Sequence, residues 1–171
     1  ARVLTLRPDL LLLTGDLTDA GDASAYLRLQ HRLRSLNYPV LALPGNHDHP
    51  ARMRRTLGMR YWGVGRVMRL GEWRIMGLSS YWHGHADGRF GHAQRRWLDH
   101  QLIQLPSRPT LLAIHHPPIA TGSAWLDSMC FRDSVAFQSL LRRHPQVRAV
   151  LFGHGHQALD LSQGGCRFLG T

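Results

Sequence analysis

Four short apolar runs, each broken off by a loop carrying Asp, Asn or His, constrain the fold of this 171-residue chain more than any other feature. They are Leu10–Thr14, Pro39–Leu43, Thr110–His115 and Val147–Phe152. Each is strand-sized and mostly apolar, the pattern of a strand covered on both faces rather than one. Helical spacing fills the gaps between them. Ala23–Leu36 carries Tyr26, Leu29, Leu33 and Leu36 on one face behind a candidate cap, Asp22. Pro50–Leu57 has proline near its start, Gly91–Leu105 aligns Trp97, Leu98, Leu102 and Leu105, and Asp133–Arg143 follows a second capping aspartate. Val67–Leu70 and Trp73–Ser79 flank Gly71-Glu72 as a hairpin, and Leu159–Leu169 reads as two short strands around Gly164-Gly165. Strands alternating with helices predict an α/β domain spanning residues 1–171.

Composition narrows the function classes. No apolar run approaches the ~18 residues of a membrane-spanning helix, so no membrane partner is expected. The charge is +10, and all 21 basic residues are arginine, scattered from Arg2 to Arg167 with no nucleic-acid-binding motif beside them. That distribution fits an arginine-biased composition with a mild preference for anionic substrates. No nucleic-acid partner is expected. Cys130 and Cys166 form neither a CxxC pair nor a disulfide framework, which argues against a thiolate zinc site and suits a reducing cytoplasm.

The loops after the four runs hold the chemistry. In open α/β sheets, ligands bind beyond the carboxyl ends of the strands, so these loops are placed to meet. Their candidate metal donors are Asp16, Asn46, His115, His154 and His156. Imidazole and carboxylate suit zinc, iron or manganese, and a carboxylate has oxygens enough to bridge two cations. Gly153 and Gly155 flank His154 and let one short loop project two histidines. Any one of these residues alone is an ordinary loop residue. Five at successive strand ends point to a metal site.

Gly15-Asp16-Leu17-Thr18-Asp19, Gly45-Asn46-His47-Asp48, His115-His116-Pro117-Pro118 and Gly153-His154-Gly155-His156 resemble, in order, the motifs of the calcineurin-like metallophosphoesterases. Gly122-Ser123-Ala124-Trp125-Leu126-Asp127 further resembles the class III cyclic-AMP phosphodiesterase branch. The resemblance implies a four-layer α-β-β-α sandwich of two mixed sheets. It implies two divalent or mixed-valence ions, iron, manganese or zinc, and hydrolysis of a small phosphodiester such as 3′,5′-cyclic AMP by a metal-held hydroxide. By its pattern Asp16 bridges the ions, Asn46, His115 and His154 complete one, and His156 serves the other. His47 faces the substrate phosphate beside Asn46 and protonates the leaving oxygen, with Asp19 orienting it and keeping it cationic. His116 stands behind the ligands or faces the substrate, and the motif alone leaves the choice between His115 and His116 open. A homodimer is compatible with the resemblance.

The family's first motif, Asp-x-His after an earlier strand, does not precede Gly15-Asp16 here. The expectation is a piece shortened at both ends, with Ala1–Pro8 as the tail of a helix that follows that strand. The residues in hand would then complete one ion and leave the other with Asp16 and His156. His83, His85 and His92, in the glycine-rich stretch Tyr81–His92, read as a solvated loop near the site mouth. Trp97 reads as core, and Trp125 as core or as the wall of a base pocket. Two other functions remain open on sequence alone: hydrolysis of a glycerophosphodiester or another small diester, and a non-catalytic remnant that binds anions or nucleic acid through its arginines.

Overall fold

The computed structural model describes residues 8–171. The predicted helix tail over Ala1–Pro8 lies outside the described residues except for Pro8. Eight strands and five helices follow among the described residues: β1 Leu11–Leu13, α1 Ala23–Arg34, β2 Val40–Ala42, α2 Pro50–Leu57, β3 Val67–Leu70, β4 Trp73–Gly77, α3 His92–Gln104, β5 Thr110–Ala113, α4 Ala124–Ser128, α5 Ser134–Arg143, β6 Val147–Phe152, β7 Leu159–Gln163 and β8 Cys166–Gly170. None of these helices is long and apolar enough to cross a membrane. Every other predicted element forms, with ends shifted by a residue or two, and α4 is the one helix among the described residues that periodicity missed. Five residues are too few for a pattern, and Ser123 supplies the local start signal, its Oγ accepting from Leu126 N–H at 3.5 Å.

The strands form two sheets. In the larger, the order is β3-β4-β5-β6-β8-β7, antiparallel at its two outer pairs and parallel within. The smaller pairs β1 with β2 in parallel, Leu11 opposite Val40 and Leu13 opposite Ala42, and is purely parallel among the described residues. Isolated bridges from Ala42 to Trp62 and from Val64 to Gly77 tie β2 to the end of β4 in the larger sheet. A Cβ on Gly77 would sit 2.1 Å from the Gly63 carbonyl, so glycine is what lets the two backbones close there. β2 is fully buried as predicted, whereas β1 is half-buried, having a strand partner on one edge only among the described residues.

Two apolar clusters fill the fold. The larger lies between the six-stranded sheet and α3 and α5, and centres on Phe90, Phe131 and Phe137. Phe137 meets Phe90 edge-on with centroids 5.2 Å apart, and Phe131 at 5.4 Å. The smaller gathers Tyr26, Leu33, Met53, Leu57 and Tyr61 from α1, α2 and the segment after α2 against β2. Trp97 packs on the larger cluster, as its helical spacing requires. Asp133 does not cap α5 with its side chain. Its Oδ2 accepts from Phe90 N–H at 2.8 Å, fastening the loop before α3 to the start of α5. Truncating Phe137 to alanine removes the hub of the aromatic trio, and urea melts should show a loss of about 3–5 kcal/mol.

Candidate metal centre

The parallel pairs β1/β2 and β5/β6 end on the same side, so the four loops predicted to meet do meet. One hydrogen bond joins the two sheets at that point. His115, after β5, directs Nδ1 to the Thr14 carbonyl at the end of β1, 2.8 Å away. A carbonyl only accepts, so Nδ1 carries the proton and Nε2 is left with a lone pair. That Nε2 lies 3.1 Å from Asn46 Oδ1, 3.3 Å from His154 Nδ1 and 3.3 Å from Asp16 Oδ2. His154 Nδ1 is also 3.1 Å from Asn46 Oδ1.

These distances test whether the residues suit a cation. Bonds of ~2.1 Å to nitrogen or oxygen set neighbouring donors ~3.4 Å apart in a tetrahedral shell. The Asn46, His115 and His154 triangle, with edges of 3.1, 3.1 and 3.3 Å, has that size. Hydrogen bonding within the protein does not satisfy the group. A proton on His154 Nδ1 serves one of two facing lone pairs and leaves Nε2, buried without a partner, as a stranded acceptor. A proton on Nε2 instead leaves three lone pairs pointed at one another. A cation between them resolves the conflict, so the residues fit the metal that the motifs imply.

Protonation favours the same reading. Burial raises the Asp16 carboxyl, but the neighbouring His115 ring and the His47 N–H outweigh it and bring the pKa to about 2. Burial, aided by the neighbouring His115, lowers His154 to about 4. Near neutral pH both groups therefore hold the form that ligates, and protons compete little for them.

The backbone is strained to place these donors. Among the described residues, the non-glycine positions with left-handed φ are Asp16 (52°), His154 (67°) and His156 (50°), all three predicted ligands. Such geometry costs about 1–3 kcal/mol per residue and is kept where function requires it. Close approach is equally demanding. A Cβ on Gly15 would lie 2.3 Å from His115 Nδ1, and one on Gly45 would lie 2.2 Å from Asp16 Oδ1.

Asp48, the last residue of its motif, holds the first two loops together. Its buried carboxylate accepts from Leu17 N–H at 3.1 Å and Gly45 N–H at 3.0 Å through Oδ2, and from Tyr26 O–H at 2.8 Å through Oδ1. Tyr26 in turn accepts from His49 N–H at 2.9 Å. Burial, with Asp48 beside it, pushes the Tyr26 phenol up to about 12, so it remains a donor. A carboxylate three residues after Gly45, with a tyrosine on the intervening helix, was the available signal. Sequence spacing alone does not reveal that they touch.

The remaining predicted residues divide. His47 lies beside the cluster, its N–H donating to Asp16 Oδ1 at 3.0 Å. The orienting contact expected from the Asp19 carboxylate runs through its backbone instead. His47 Nδ1 donates to the Asp19 carbonyl at 3.0 Å, while the fully exposed carboxylate stands 3.9 Å away. His116 is near in space, its ring among those of His115 and His154. Nε2 donates to the Ala86 carbonyl at 3.0 Å, and Nδ1 accepts from Ser80 O–H at 2.7 Å. His116 thus has a ligand nitrogen within 4.8 Å of those of His115 and His154, yet its ring is fully buried and both nitrogens are engaged by other partners. Burial, then the charges of His115 and His154, lowers it to about 3. Of the two histidines left open by the motif, His115 is the one whose Nε2 faces Asn46, His154 and Asp16. His156 is exposed and makes no hydrogen bond to the cluster among the described residues. His83 pairs with Tyr81 O–H, His85 stacks on Trp82, and exposed His92 begins α3, so these three do not converge.

A model of the calcineurin-like phosphoesterases matches residues 2–158. The chain belongs to this family. Among relatives, a 3′,5′-cyclic-nucleotide phosphodiesterase of Nostoc sp. is 39% identical over 172 residues, covering 99% of this chain and 65% of the relative. The 3′,5′-cyclic adenosine monophosphate phosphodiesterase CpdA of Escherichia coli K12 is 35% identical over 164 residues, covering 95% and 60%. The chain thus spans 60–65% of the length of these two relatives. The crystal structure of a dimetal phosphatase from Danio rerio superposes with a TM-score of 0.77 at 15% identity, covering 98% of this chain and 74% of that one, and shows the calcineurin-like phosphoesterase fold. The glycine contacts give a direct test. Gly45→Ala forces a methyl group onto the Asp16 carboxylate, and metal titration followed by elemental analysis should show at least ~10-fold weaker binding in a folded protein.

Proposed function

We propose that the protein is a metal-dependent phosphodiester hydrolase whose leading substrate is 3′,5′-cyclic AMP, opened to 5′-AMP. The observation that carries this reading is the convergence of Asp16, Asn46, His115 and His154 with His47 at their side. The names of the Nostoc and Escherichia coli relatives support the substrate. In this reading Asp16 would serve two ions, Asn46, His115 and His154 would hold one, and His156, on its exposed loop, would serve the other. The ions are iron, manganese or zinc, the donor set being compatible with each. When bound, they activate water and neutralise phosphate charge. A cytoplasmic location and a homodimer belong to the same proposal.

The chain's own residues do the rest. The Asp19 carbonyl keeps a proton on His47 Nδ1, which leaves Nε2 as the free nitrogen of a half-exposed ring. In the imidazolium form both nitrogens donate, so that carbonyl remains satisfied while Nε2 gives its proton to the departing ribose 3′-oxygen. Water adds to phosphorus as the bond to that oxygen breaks, and the product carries a 5′-monophosphate. Asn46 is held toward the phosphate by the same loop, and Asp48 keeps that loop in register with Asp16.

Replacing His47 with alanine should lower turnover of cyclic AMP about 10²–10⁴-fold while metal content stays unchanged. Wild-type rates in the variant would defeat the reading. Parallel assays on glycerophosphoethanolamine set the substrate, because faster cleavage of that compound would displace cyclic AMP.

A further inference from the structure

We propose that Trp125 on α4 forms a nucleobase-binding subsite at the rim of the metal centre, an inference that rests on the phosphodiesterase reading above. The helix is anchored to the site. Leu126 is fully buried, and its Cδ1 lies 3.6 Å from where a Cβ on Gly155 would stand, between His154 and His156. Trp125 is the adjacent residue, about 100° around the helix, and is 66% exposed. The stretch leading into α4 is tied down. Both oxygens of Asp127 take part, Oδ1 accepting from Thr121 N–H at 2.7 Å and Thr121 O–H at 2.9 Å, and Oδ2 from Gly122 N–H at 3.2 Å. An indole held out to solvent on a fastened helix beside two candidate ligands is a ready stacking surface, and stacking on an aromatic face accepts any base.

The other tryptophans do not offer that surface. Trp82 also lies near the centre, in the loop whose Ala86 carbonyl binds His116, but its ring is already covered. His85 stacks on it at 3.4 Å and 8°, and the guanidinium groups of Arg132 and Arg89 lie 5.1 and 5.7 Å from its centroid. Trp97 packs on the larger core and Trp62 on the smaller. Trp73 begins β4, at the end of the sheet away from the strand termini that carry the donors. Among the described residues, Trp125 has no aromatic or cationic partner.

The test compares wild type, Trp125→Ala and Trp125→Phe, all metal-loaded, in two measurements: AMP binding by calorimetry, and hydrolysis of cyclic AMP against a ribose 3′,5′-cyclic phosphate lacking the base. Trp125→Ala should weaken AMP binding and raise KM for cyclic AMP about 5- to 30-fold with kcat within about two-fold. Trp125→Phe should recover most of the loss, and the base-free substrate should respond to neither change. Unchanged AMP affinity and KM in Trp125→Ala would overturn the subsite, as would an equal loss on both substrates. Wild-type protein that binds AMP through Trp125 yet opens no cyclic nucleotide would instead remove the hydrolase reading and leave the subsite standing.

Discussion

The hydrogen bond from His115 Nδ1 to the Thr14 carbonyl is the contact on which the site's arrangement turns. It runs between the ends of strands in different sheets, and it fixes both the orientation of an imidazole and its tautomer. Without it, Nε2 would have no set direction, and Asn46, His154 and Asp16 would face a rotating ring. Asp48 does the corresponding work between the first two loops, gathering backbone donors from each and the Tyr26 hydroxyl beneath them. The two sheets are thus joined at the site itself, and docking of the sheets and assembly of the donors are one event.

A cluster of lone pairs and strained backbone is unfavourable by itself. Three non-glycine residues in left-handed geometry and three unprotonated donors about 3 Å apart are carried by the burial of two apolar clusters around them. Local sequence preference and global fold disagree at these few positions and agree nearly everywhere else, which is the expected signature of a functional site. The glycines at 15 and 45 belong to the same bargain, because any side chain there would occupy the space that the carboxylate and imidazole need.

Much was legible beforehand because the signals are local. The apolar runs that became β1, β2, β5 and β6 declare themselves by composition, and the loops after them by Gly, Asp, Asn and His. What escaped was what depends on contact. Residues adjacent in sequence, His115 and His116, received opposite environments, one ring turned to the donor cluster and the other sealed against Ser80 and Ala86. Asp19 kept its place beside His47 but acts through its carbonyl, a distinction that residue identity does not encode. The helix α4 was too short for periodicity to mark.

The sequence alone determined the element types, the α/β alternation and the set of residues able to hold a cation, since these follow from side-chain chemistry and short-range pattern. The tertiary structure decided which of them converge, which nitrogen of His115 faces the others, and that Trp125 stands exposed on α4. Those outcomes depend on how strands distant in the chain are set side by side, and spacing along a sequence carries no direction in space.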